Sequence, residues 1–129
     1  MKGTFLYALV LTLFGILNGC QTGLSYDDFH HLDHWDELAL EPTNDTIVYL
    51  YSPTCQICMS IEDDVLNAFK ILETHRTIVL AIEGMMYGQG EPPIAVESVP
   101  SLLVYDGKDW RAVRGSQPVL DYLENALKK

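Results

Sequence analysis

Two thiols three residues apart, Cys55 and Cys58, stand in the run Tyr51-Ser52-Pro53-Thr54-Cys55-Gln56-Ile57-Cys58. A Cys-x-x-Cys pair can hold zinc, bind Cu(I), or cycle between dithiol and disulfide. The flanking residues bear on the choice. Ile47-Val48-Tyr49-Leu50-Tyr51 is short, β-branched and aromatic, the composition of a strand covered on both faces. After Cys58, Ile61, Val65, Phe69 and Leu72 recur at helical spacing, leaving Glu62, Asp63, Asp64 and Lys70 to face water. The pair therefore sits where a strand runs into a helix. Cys55 would meet unpaired backbone N–H groups and the positive end of the helix dipole, which favour thiolate. Cys58 would lie one turn further in, close enough to close a small disulfide ring. A redox site of this kind needs no added cofactor, because the Cys55–Cys58 disulfide is itself the redox group.

Ahead of that unit, the first 19 of 129 residues read as a leader. Lys2 gives a positive start, and residues 5–17 are almost wholly apolar. As a helix they would span roughly 20 Å against a hydrocarbon layer of about 30 Å. That is short for a spanning helix and right for the apolar part of a signal peptide. The leader ends in Leu17-Asn18-Gly19-Cys20, which resembles the lipobox of bacterial lipoproteins, with Asn18 a less usual filler. The resemblance implies a signal peptide over 1–19, lipid on Cys20, a tether over 20–24 and one folded domain over 25–129. It places that domain outside the cytoplasm of a bacterium, anchored to a membrane. Ordinary cleavage near Gly19, leaving Cys20 a free thiol, is the alternative.

Cysteine usage and charge narrow the function classes. With Cys20 lipidated, the domain keeps only Cys55 and Cys58, so nothing remains for a structural disulfide framework. All eighteen Asp/Glu follow Cys20 but only seven of the eight Lys/Arg do, a formal charge of −11 from Cys20 onwards. That balance argues against nucleic acid as a partner. It argues against a polybasic membrane contact too, which leaves anchoring to the lipid.

The other elements follow in order. Ser25-Tyr26-Asp27-Asp28 has the form of a capping box, and Phe29, Leu32, Trp35 and Leu38 follow at every third residue. One helix or two short pieces are expected between about 26 and 40, then a turn at 41–45. The helix after the cysteines should run to about 74. A second buried strand over 77–82 completes a βαβ unit, making the two strands parallel neighbours. Residues 83–93 hold three Gly and two Pro, too many for a regular helix. A hairpin over 101–105 and 110–114 follows, turning at 106–109. Gly115-Ser116 starts a last helix, with Leu120, Leu123 and Leu127 expected inward.

This order, with Cys55-Gln56-Ile57-Cys58 after a strand and Val99-Pro100-Ser101-Leu102-Leu103-Val104 before the hairpin, resembles the thioredoxin family over nearly all of residues 25–129. The fold implied is α/β: a central mixed sheet flanked by helices, the helix before the cis-Pro strand being replaced by the Gly/Pro loop. The resemblance also implies a cis Pro100 packed against the dithiol. The backbone of Val99 would then hydrogen-bond a substrate chain lying across Cys55. Thr54 beside the first thiol, and Met85 and Met86 after the second strand, are further candidate substrate contacts. Cys55 would attack a substrate disulfide and Cys58 resolve the mixed disulfide. Three departures matter. Gln56-Ile57 supplies no cation, Tyr49 stands where thioredoxins carry a buried carboxylate, and Thr54 replaces an aromatic residue. Expected partners are envelope protein thiols and disulfides, with a membrane-embedded electron donor or acceptor. Electron flow is read as slightly favouring reduction, because no added positive charge makes the pair a strong oxidant. A Cu(I) metallochaperone using Cys55, Cys58 and a Met or His is the main rival, and a redox-inactive binding module the third reading. His30, His31, Asp33 and His34 read as a solvated helix face in preference to a metal site.

Overall fold

The computed structural model describes residues 23–129, so the leader and Cys20 lie outside the described residues. Four strands, β1 (Thr46–Tyr51), β2 (Thr77–Ile82), β3 (Ser101–Tyr105) and β4 (Trp110–Arg114), form one mixed sheet in the order β2-β1-β3-β4. β1 and β2 are parallel, with Thr46 opposite Thr77 and Tyr51 opposite Ile82. β3 runs antiparallel to β1, with Leu50 opposite Ser101, and β4 antiparallel to β3. All six residues of β1 are buried, as the central strand of a sheet covered on both faces must be. The β1–β2 crossover carries α1 (Gln56–Ser60) and α2 (Glu62–Leu72), and α3 (Ser116–Leu127) follows β4.

Alternation along β1 sorts the core into two. Ile47, Tyr49 and Tyr51 pack with Cys58, Val65, Leu66, Phe69 and Leu123 under the helices. Val48 and Leu50 pack with Leu32, Trp35, Met86 and Leu103 under the loops of the other face. That second layer is where the Gly/Pro segment lies. After a single 3-10 turn at Glu83–Met85 it runs without regular structure to β3, held to the amino-terminal segment by Trp35 N–H on Gln89 O at 2.9 Å. Gly90, at φ 89°, passes so close to His34 that a Cβ would stand 2.8 Å from the ring carbon Cε1.

Three expectations are corrected. Of the two readings for residues 26–40, the single helix is not formed; the two short pieces are 3-10 turns, Tyr26–Asp28 and Trp35–Glu37, joined by an extended run. His31 there bridges Leu80 in parallel, with Leu32 N–H on Leu80 O and Leu80 N–H on His30 O, both at 2.8 Å. The every-third-residue spacing drifts around a helix, so no single stripe could be buried. An extended chain instead drops Phe29, Leu32 and Trp35 into the core. His30 and His34 consequently share no helical face: His30 Nε2 meets Glu37 Oε2 at 3.3 Å, and His34 Nδ1 accepts the Asp36 N–H at 3.2 Å.

Second, the helix after the cysteines breaks at Ile61 (φ −101°, ψ 3°). Third, α3 buries Val119, Leu123 and Ala126, while Leu127 is 41% exposed and Leu120 half-buried. The i, i+4, i+7 set wins because 3.6 residues per turn carry Leu127 past the stripe. Gly115 (φ 96°) turns the chain from β4 into this helix in a conformation that L side chains rarely adopt. Among the described residues no helix is long and apolar enough to cross a membrane.

Candidate functional site

Cys55 is the N-cap of α1, and its sulfur accepts the Cys58 N–H at 3.2 Å. The turn before it is fixed by Cys55 N–H on Ser52 O at 3.0 Å and by the Ser52 and Thr54 hydroxyls, 2.9 Å apart. Cys55 and Cys58 are joined as a disulfide, with Cα atoms 5.2 Å apart. Cys55 is half-buried, whereas Cys58 is 0% exposed. One sulfur is thus open to attack and the other shielded behind it. No acidic or basic side chain belongs to α1, so stabilisation of a Cys55 thiolate falls to the N–H groups and the dipole. Ile57 (56% exposed) and Met59 give the surface around the pair an apolar character.

Beneath the dithiol lies a group of phenols. Tyr26 donates its hydroxyl to Cys58 O at 2.6 Å. That donation uses its single hydrogen, so the Tyr49 hydroxyl, 3.1 Å away, must donate to Tyr26 in the neutral pair. Tyr26 N–H in turn bonds the Glu62 carboxylate at 3.1 Å, so residue 26 grips the chain on both sides of the Ile61 break. Tyr51 packs against Tyr26 at a tilt of 30°, with centroids 4.1 Å apart. Its hydroxyl meets His31 Nε2 at 2.6 Å. Since His31 Nδ1 lies 2.9 Å from the Phe29 carbonyl, which can only accept, Nδ1 carries the proton of the neutral ring and Tyr51 donates to Nε2. Where a carboxylate would place a buried negative charge, this chain buries neutral phenols.

Burial keeps them neutral. Loss of solvation pushes Tyr49 up to about 12, opposed by the Tyr26 hydrogen bond and reinforced by Glu62. Burial also raises Tyr51 to about 12, with Asp27 and Glu62 adding to it, and raises Tyr26 further. A phenol whose folded value exceeds the unfolded value near 10 binds more protons folded than unfolded between the two. Its stabilising contribution is complete below about pH 10 and is lost as pH climbs through about 12. Alkaline titration is therefore expected to unfold the protein cooperatively in that window, with phenolate absorbance rising in step with loss of circular dichroism. Phenolate appearing near pH 10 in a folded protein would contradict the buried cluster.

The remaining candidates separate. The Val99–Pro100 bond is cis and Pro100 is buried, its carbonyl held by Gly115 N–H at 3.0 Å. Val99 and Cys55 both pack against the helix-side core that contains Cys58. Among the described residues the backbone N–H and C=O of Val99 make no hydrogen bond. Thr54 is exposed beside Cys55. Met85 is 65% exposed just after β2, but Met86 is 5% exposed and packs on the opposite face of the sheet with Leu50 and Trp35. Met86 is core and does not stand with the dithiol. Among the described residues no group of three or more His, Cys, Asp or Glu is placed to hold a metal ion.

No protein-family model matches the chain, and no curated protein sequence matches it. Solved structures do. Mitochondrial thioredoxin 3 from Saccharomyces cerevisiae, oxidised form, superimposes with a TM-score of 0.63 at 17% identity, covering 81% of this chain and 98% of its own. A chain from a study of thiol resolution in yeast mitochondrial 1-Cys peroxiredoxin via glutathione/thioredoxin systems gives 0.62 at 16%, with the same coverage. A designed protein gives 0.55 at 16%, covering 77% and 93%. The chain has a thioredoxin fold. Within the thioredoxin fold, the dithiol junction and the Val99–Pro100 segment are brought to one end of the sheet, as the strand register requires. Sequence reasoning missed Tyr26, Tyr51 and His31. Tyr49 could be flagged from its place six residues before Cys55, but its partners come from a segment expected to be helical.

Proposed function

We propose that the protein is an extracytoplasmic thiol–disulfide oxidoreductase, tethered to a bacterial membrane by lipid on Cys20. The observation that carries the reading is the Cys55–Cys58 disulfide itself, with the half-buried Cys55 sulfur on the Cys58 N–H and Cys58 sealed behind it. In the reductive direction the Cys55 thiolate attacks a substrate disulfide. The substrate S–S bond breaks, a mixed disulfide forms, and one substrate thiolate leaves and takes a proton. Cys58 then loses its proton and attacks the Cys55 sulfur, expelling the second substrate thiolate. The substrate gains two electrons and the enzyme returns to the disulfide. A membrane-embedded donor or acceptor would reset it.

The free backbone groups of Val99 are suited to pair with a substrate strand, with Thr54 and the exposed Met85 beside it. Direction depends on a potential that spans about 150 mV, or about 7 kcal/mol, among proteins of this kind. The lack of any cation in α1 favours the reducing side slightly. Cys58→Ser is expected to accumulate mixed disulfides at Cys55 in intact cells, visible as reductant-sensitive adducts. The absence of any adduct, with the variant folded and exported, would sink the redox reading. Retained function in the double Cys→Ser variant would point to a binding module instead.

A further inference from the structure

The face of the sheet opposite the dithiol helix holds a cavity of about 230 Å³ under the Gly/Pro loop. Its floor and walls are Trp35, Leu50, Met86, Pro92 and Val96, and its single carboxylate is Glu83. None of its lining residues is basic. Tyr87 donates its hydroxyl to Glu83 Oε1 at 3.3 Å, and Glu83 Oε2 has no hydrogen-bond partner among the described residues. An apolar slot with one half-buried carboxylate suits a cation on an aliphatic stem: the stem covers apolar wall, the head takes the carboxylate, and the indole face adds attraction.

Position ties the cavity to the redox site. Leu50 is one residue from the end of β1, from which the chain leads directly to Cys55, and Glu83 follows the last residue of β2 at the same edge. Val96 lies three residues before Val99. The charges of this end are complementary to a cation as well. Glu97 lies at this end with Glu83, and the one arginine there, Arg114, is held by Glu97 at 3.6 Å. The other cations of the described residues belong elsewhere: Lys70 lies in α2 against Glu73, Arg76 precedes β2, Lys108 and Arg111 sit in the far half of the hairpin, and Lys128 and Lys129 follow α3.

We infer that the cavity bounded by Trp35, Met86 and Glu83 is a subsite for a lysine side chain of the polypeptide whose disulfide the protein exchanges. The identity of that polypeptide rests on the oxidoreductase reading, but occupancy of the cavity can be read without it. A Trp110→Phe variant leaves Trp35 as the sole tryptophan. Its emission is expected to shift on titration with n-pentylamine and not with n-pentanol, and Glu83→Gln should weaken the amine about tenfold. Separately, in the otherwise unaltered protein, disulfide peptides differing only by lysine or norleucine should differ about tenfold in kcat/KM. Glu83→Gln should erase that preference and leave the norleucine peptide unaffected. Equal responses to amine and alcohol, or none to either, with both peptides still exchanged, would overturn the subsite and spare the redox reading. An amine response with equal peptide rates would overturn the lysine assignment in favour of a free amine. An amine response with no peptide exchanged would remove the polypeptide and the redox reading together.

Discussion

In the reduced protein Cys55 is expected to alkylate on the order of a hundredfold faster than Cys58, and Cys55→Ser to abolish disulfide exchange. Two effects act in the same direction. Access differs, since Cys55 is half-buried at the start of α1 whereas Cys58 is 0% exposed beneath it. Ionisation differs too, because a thiolate at Cys55 receives the Cys58 N–H already directed at its sulfur and faces the positive end of α1. Cys58 looks instead into phenols whose burial holds them neutral, an apolar setting that disfavours charge. Iodoacetamide labelling followed by peptide mass analysis separates the sites. Equal labelling would mean that the attacking sulfur has been misassigned.

Tyr26→Phe is expected to cost about 2 kcal/mol of folding stability, more than Tyr49→Phe. The asymmetry comes from the direction of the hydrogen bonds. Tyr26 gives its hydrogen to Cys58 O and receives that of Tyr49, so removing its hydroxyl orphans a buried acceptor and a buried donor at once. Removing the Tyr49 hydroxyl orphans only one lone pair of Tyr26. In the Tyr26→Phe background, Tyr49→Phe should be neutral or favourable, since it deletes the stranded donor. The two changes should therefore fall well short of additive, by 0.5 kcal/mol or more, in urea titrations. Additive losses would mean that the phenols do not share a network.

The strands were legible to the residue at β2, β3 and β4, because each is a short β-branched or aromatic run bounded by turn formers. β1 began one residue earlier than read, at Thr46, whose hydroxyl bonds Asn44 O. The dithiol and its strand–helix junction were legible for the same local reason. What escaped was set by contacts distant in sequence. Ile61 looks like an ordinary core position of a continuous helix, yet the chain breaks there, and the Cys58 carbonyl bonds a hydroxyl from residue 26. Phe29, Leu32 and Trp35 showed that residues 26–40 are buried but not how. Only the presence of a β2 edge selects an extended path. Met86 was expected beside Met85 at the dithiol, but it is buried and packs with Leu50 and Trp35 on the other face of the sheet.

The bridge between His31 and Leu80 has a consequence for how copies of this protein meet. β2 ends one side of the sheet, and an open strand edge offers unpaired N–H and C=O groups to any extended chain that passes. The amino-terminal segment occupies that edge at its middle, using both backbone groups of Leu80. On the other side, β4 carries Arg111 and Arg114 among half-buried neighbours, and arginines repel a second copy of themselves. Both margins are thus guarded against lateral growth into intermolecular sheet. Where molecules meet often, one exposed margin would be enough to start aggregation. Freeing residues 29–32 from β2, by Leu32→Pro for example, would leave that margin open.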